Sequence, residues 1–351
     1  MQITANYLRF SVNLFDIYEN QKMPLSSIDR LENLILQINR WFCSLIFLFG
    51  IVGNLLNLII FTRQTFLKQS SSLYFLCISI TNIAMYFTGL ATRILDDGWR
   101  VNLTFNRNVI YCKLRNYLVY TLFSISSWLF VLASFDRYYA TNPSTLRRQF
   151  YCSYRTASKL ITSIVLICLF AHVHMLIFYD YYLKLNTYDQ WTWTCTSNGL
   201  AYDIFWAFFI LIFYSFLPPL VMSILNFLTI ENFRRSRRQV HVLTLFTLSQ
   251  VMKTRRETIQ LIKILSSQIL ILICFTIPHS IYWLYITFTT NDNSNKSNLR
   301  REYEKFALHL VRILLYVNYG SSFYIQMIIS RTFRREFRKF CQQRIIHRNR
   351  L

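Results

Sequence analysis

Residues Cys112 to Tyr139 read CKLRNYLVYTLFSISSWLFVLASFDRYY. A cysteine opens the stretch, an Asp136-Arg137-Tyr138 triplet closes it, and no charged residue occurs from Leu118 to Phe135. Cys112 and Arg137 are 137 − 112 = 25 positions apart. As a helix rising ~1.5 Å per residue this is roughly 37 Å, enough to cross a hydrocarbon core of ~30 Å. The stretch predicts one membrane-spanning helix with a cysteine at one face and an Asp-Arg pair at the other. Taken alone, that pair could be a charge snorkelling to the interface with its neighbour.

Apolar runs of similar length occur on both sides. Together they give seven spans, at 41–62, 72–95, 112–135, 158–183, 202–230, 260–289 and 304–329. The seventh carries His309, Arg312, Asn318 and Gln326. Hydropathy alone reads it weakly, and such residues face a bundle interior or a watery cavity. The expected fold is therefore an all-α membrane protein, a seven-transmembrane helix bundle. The composition agrees, with 54% hydrophobic and 17% aromatic residues in a chain of 351. A soluble domain of this size needs more polar surface.

The net charge of +22 could suggest nucleic acid. Its placement points elsewhere, because the basic residues cluster between the apolar runs and follow the positive-inside rule. The loops after spans 1, 3 and 5 and the tail after span 7 are the basic ones; Arg234, Arg235, Arg237 and Arg238 lie in one of them. Those segments are read as cytoplasmic, so residues 1–40 form an N-terminal segment outside the cell, and Asn102 and Asn295 fall in outside loops as glycosylation sequons. No cleavable signal peptide is evident before Trp41.

Of eight cysteines, Cys43, Cys77, Cys168 and Cys274 fall inside spans, and Cys152 and Cys341 fall on the reducing side. Cys112 and Cys195 remain on the oxidising side. A disulfide between them would pin the loop before span 5 over the bundle; two free thiols are the alternative. That loop, Lys184 to Cys195, alternates and is rich in β-formers, which predicts a hairpin turning near Asn186. No metal-ligand spacing, nucleophile motif or phosphate loop is found, so no cofactor and no enzyme are expected. No carboxylate cluster crosses the bundle, which argues against a channel or transporter.

The cysteine and Asp-Arg-Tyr at opposite ends of the third span resemble those of rhodopsin-like (class A) G-protein-coupled receptors. Gly53-Asn54 matches the family's Gly-Asn pair in the first helix, and Pro218 and Pro278 stand at its helix 5 and helix 6 bends. Residues 331–351 resemble its short amphipathic helix and tail, with Phe333, Phe337 and Phe340 on one face and Cys341 as a candidate palmitoylation site. The receptor domain would be 41–330. The chain also departs from the family pattern. Asn82 replaces the helix 2 aspartate, Thr276 replaces the tryptophan before the helix 6 kink, and Ser322-Phe323-Tyr324-Ile325-Gln326 replaces Asn-Pro-x-x-Tyr. The chain is a divergent member, most similar in texture to invertebrate neuropeptide receptors of the FMRFamide type.

The resemblance implies a plasma-membrane receptor, embedded in lipid, that passes an extracellular signal to a heterotrimeric G protein through Asp136, Arg137 and Tyr138. Val119 stands where amine receptors carry aspartate, and Tyr316 where opsins carry lysine, so neither an amine nor retinal is expected. A peptide ligand is expected instead, met by Tyr120, Phe123, Trp191, Trp193, Tyr282, Trp283, His309 and Arg312. A chemosensory receptor for small molecules is the alternative.

Overall fold

The computed structural model describes residues 28–67, 69–101, 108–185, 191–197, 199–238, 245–289 and 296–348. Long helices dominate. They are α1 (Ile28–Phe61), α2 (Ser70–Gly98), α3 (Val109–Ala140) and α4 (Tyr154–Phe178). Next come α5, which runs Leu200–Phe209, Ile210–Phe216 and Leu217–Arg238, and α6 (Leu245–Thr289). Then come α7, Asn298–Gly320 resuming at Ser322–Ile329, and α8 (Arg331–Arg348). Among the described residues, six helices are long and apolar enough to cross a membrane, α1 to α6. α7 carries the charged and polar residues that weaken its hydropathy.

Several boundaries move. α1 starts at Ile28 rather than near residue 41, so part of the expected N-terminal segment is helical. Ile28 and Ile35 are buried at helical spacing while polar residues lie between them. An amphipathic extension of this kind does not register as an apolar run. α4 ends at Phe178, short of the expected 183, because Tyr179–Leu185 forms a strand, β1. β1 pairs antiparallel with β2 (Trp191–Ser197), with Tyr181 opposite Cys195. The hairpin is thus longer than predicted, and its turn near Asn186 lies outside the described residues, as do the sequons at Asn102 and Asn295.

Widened, π-helical turns interrupt the helices at Ile38–Phe42 in α1, at Tyr86–Ala91 and Ile94–Gly98 in α2, and at Ile210–Phe216 in α5. The last ends at Leu217, whose N–H reaches Ile212 O, directly before Pro218. This is where a proline would otherwise leave a carbonyl unpaired. Pro278 lies inside α6.

The bundle packs tightly where helices 1, 2 and 7 meet. Tyr86 is fully buried, donates to Tyr316 O at 2.7 Å, and fills a slot beside Gly50 and Gly320. α7 then breaks at Ser321 with no proline. Its carbonyls there take side-chain partners. Asn82 Nδ2 and Asn54 Nδ2 both donate to Tyr319 O, at 3.0 and 3.3 Å, and Ser321 Oγ donates to Asn318 O at 2.6 Å. In a bilayer those carbonyls have no water to turn to. α8 lies against the inner end, where Phe333 is buried against Phe61, Phe66 and Phe323, and Phe337 also meets Phe323. Arg334 Nη1 donates to Met327 O at 2.7 Å, and Ile328 O also accepts from it. Cys341 is a free, half-buried thiol on this helix.

Candidate functional site

Two sites lie at opposite ends of α3. At its outer end Cys112 and Cys195 are joined by a disulfide, with Cα atoms 5.7 Å apart. The bond anchors β2 to the first turn of the helix. Asn116, one turn deeper, donates to Cys195 Sγ at 3.2 Å.

Below the hairpin is a cavity of about 350 Å³, counting its open mouth. It is lined by Arg93 of α2, by Arg115, Asn116, Val119, Tyr120 and Phe123 of α3, by His279 of α6, and by Arg312, Leu315 and Tyr316 of α7. Three of the eight expected ligand contacts therefore line it: Tyr120, Phe123 and Arg312. His309 is turned toward α1, where its Nδ1 meets Asn39 Nδ2 at 3.0 Å. Trp283 donates from Nε1 to His279 Nε2 at 3.1 Å and so stands behind the lining, with Tyr282 edge-on to it. Trp193 is exposed on the hairpin, and the side chain of Trp191 lies outside the described residues.

Arg93 and Arg115 were not expected in the lining. The widened turn at Tyr86–Ala91 precedes Arg93 and adds a residue, and one residue shifts the phase of everything beyond by roughly 100°. Arg115 sits less than one turn past Cys112. An ionisable residue just inside a span is the signal that marks both.

At the inner end Asp136 is fully buried. It accepts Nε of Arg137 at 3.1 Å and a second bond from the same guanidinium, while Ser70 Oγ of α2 donates to its other oxygen. Cys152, in the loop to α4, donates to Asp136 O at 3.5 Å. Burial pushes that thiol up to about 11, so it stays a neutral donor. The Arg137 side chain is 12% exposed and is held by its neighbour. Tyr138 lies edge-on to Tyr139.

Between the two sites Asn82 is fully buried and fully engaged. Its Nδ2 donates to Asn54 Oδ1 at 3.2 Å as well as to Tyr319 O, and its Oδ1 accepts from Ser126 at 2.7 Å. Tyr319 Oη lies 2.6 Å from Tyr214 Oη and 3.1 Å from Ser127 Oγ. This polar core ties α1, α2, α3, α5 and α7 together. Among the described residues no group of His, Cys, Asp or Glu is arranged to hold a metal ion.

The helix that carries a disulfide-anchored hairpin at one end and an Asp-Arg pair at the other lies inside a family match: the 7 transmembrane receptor (rhodopsin family) model covers residues 53–320. The chain belongs to the rhodopsin family of seven-transmembrane receptors. It is a multi-pass membrane protein and a receptor, not an enzyme. The receptor is similar to the human neuropeptide S receptor, being 32% identical over 97 residues, which are 27% of this chain and 24% of that one. The matched part thus spans about a quarter of that relative.

Proposed function

We propose that this receptor sits in the plasma membrane with its N-terminus outside, binds an extracellular peptide in the cavity under the hairpin, and signals to a heterotrimeric G protein. Arg137, released from Asp136, would meet the G protein, and Tyr138 would flank it. The observation that carries the reading is α3 itself: one rigid helix lines the ligand cavity with Arg115, Asn116 and Tyr120 and holds the Asp136–Arg137 pair at the other end.

A peptide suits the site for two reasons. The cavity holds little enclosed space among its lining side chains, so it takes only one end of a chain and leaves the rest outside. The β1–β2 hairpin above it offers Trp193 as an exposed aromatic for the remainder. The resemblance to a neuropeptide receptor points the same way. Ligand binding acts by preferring one of two bundle packings, and only differential affinity for the two moves the equilibrium.

The test is a second-messenger assay in cells expressing the receptor, with a library of short peptides and a panel of small odorants. A response to peptides at nanomolar levels supports the reading. A response to odorants alone, at micromolar levels, would overturn the peptide and leave a chemosensory receptor of the same fold.

A further inference from the structure

The cavity carries a surplus of positive charge that nothing in the bundle matches. Arg93, Arg115 and Arg312 all line it, and no carboxylate does. Arg93 pairs with Asp97 at 3.2 Å. Arg115 spends its Nε on the neutral Thr92 Oγ1 at 2.9 Å. Among the described residues no carboxylate lies within ion-pair distance of Arg115 or Arg312. Asp97 also acts at longer range on Arg115 and Arg312, and Asp96 acts on Arg93 and Arg115. That sets three cations against two carboxylates, and Arg93 and Arg312 repel each other.

His279 adds a neutral donor. It is 1% exposed and lines the same cavity. Its Nε2 accepts the Trp283 indole N–H, so in the neutral ring the proton is on Nδ1. That Nδ1 is buried with no partner among the described residues. A buried donor without an acceptor is costly, and a buried unpaired cation is costlier still. Tyr120 and Tyr316 bring phenols to the same space.

We infer that the cavity is an anion site, and that the ligand presents a carboxylate to Arg312 and Arg115, with His279 Nδ1–H as a further donor. A guanidinium meets a carboxylate through two parallel N–H···O bonds, which makes arginine suited to that group. The inference rests on the proposed ligand cavity and specifies the sign of the charge that enters it. The carboxylate is either the free C-terminus of a peptide or an Asp or Glu side chain near its end.

The experiment has two parts. Purified receptor is heated with N-acetylphenylalanine or with its amide, at one ionic strength made up with chloride. The acid is expected to raise the unfolding midpoint with concentration and the amide to leave it unchanged. Arg312→Gln is expected to abolish the shift while raising the midpoint of the empty receptor, since a buried cation lacking a counterion is removed. Arg312→Lys keeps the charge and should keep part of the shift; this variant and Arg115→Gln guard against a single misfolded protein. Equal shifts with acid and amide, no shift with either, or an acid shift that survives in Arg312→Gln would overturn the inference.

In cells, three peptide pools are compared: free C-terminal acids, amides with an acidic residue, and neutral amides. The first or second pool should signal at concentrations about thirtyfold or more below the third, and which of the two does so identifies the source of the carboxylate. Neutral amides acting equally well would overturn it. A receptor stabilised by the acid yet silent to every pool would keep the anion site and remove the peptide.

Discussion

Arg137 donates twice to the carboxylate of Asp136, the only acidic partner it has among the described residues. The pair is enclosed by Ser70 and Cys152 and sits far from the ligand cavity along α3. Arg137→Ala should therefore leave ligand binding per surface receptor within a fewfold and remove most G-protein activation. Surface number will fall, because stripping one partner from a buried pair costs about 3–5 kcal/mol. Full coupling per receptor in Arg137→Ala would count against the role given to it. Asn82 leads to a second expectation. A sodium ion in a bundle wants an ionised oxygen, and here the family's carboxylate is an amide whose donors and acceptor are already bonded to Asn54, Tyr319 and Ser126. No Asp or Glu occurs from Thr62 to Leu95. The unfolding midpoint should be the same in sodium as in N-methyl-D-glucamine chloride, and Asn82→Asp should create a sodium-specific rise. A sodium-specific rise in the unmodified receptor would refute this account.

Among the elements, the contact of α1, α2 and α7 through Tyr86 leaves little freedom. A Cβ on Gly50 would lie 2.1 Å from Tyr86 Cζ, and the ring is restrained from retreating because its hydroxyl is held by Tyr316 O. Gly50→Ala should cost about 1–3 kcal/mol, read as a lower melting midpoint and weaker surface expression. Adding Tyr86→Leu should recover part of the loss; no loss in Gly50→Ala would show that the slot is looser than described. The hairpin depends on a different constraint. Since Cys112 and Cys195 form one bond, Cys112→Ser, Cys195→Ser and the double variant should lose ligand response equally. Losses that add would mean that each cysteine acts on its own.

For the whole molecule, seven spans with basic segments on one side lead to an expected orientation. The loop after α3 and the tail helix α8 both place their arginines at the Asp136–Arg137 end, with Arg331, Arg334, Arg335, Arg338 and Lys339 lining one groove. The loops on the cytoplasmic side of a membrane protein carry the excess of Lys and Arg. An epitope at the N-terminus should stain intact cells, and one after Leu351 should stain only after permeabilisation; the reverse pattern would invert the receptor. The fold was largely readable from the chain because a hydrocarbon core imposes a local rule, about 20 apolar residues per crossing, that needs no knowledge of neighbours. The same rule missed the first turns of α1, where Ile28 and Ile35 are buried by partners instead of by lipid, and overran α4, where Tyr179 leaves the helix to pair with Ser197.

The sequence by itself determined that this is a helical membrane receptor. Its spans follow from apolar runs along one chain, and the family from a resemblance carried by Cys112 and Asp136-Arg137-Tyr138 at the two ends of α3. Only the tertiary structure decided what the receptor holds at its centre. Arg93, Arg115 and Arg312 are on three helices, separated by 115 − 93 = 22 and 312 − 115 = 197 positions, and no periodicity links them. Whether a charged side chain inside a span faces its counterion, another helix or an empty cavity depends on helix phase and on which helices touch. The widened turns of α2 bear on the first, and packing around Tyr86 on the second. His309, equally polar in sequence, was claimed by Asn39, while Arg312, one turn further along the same helix, opens into the cavity.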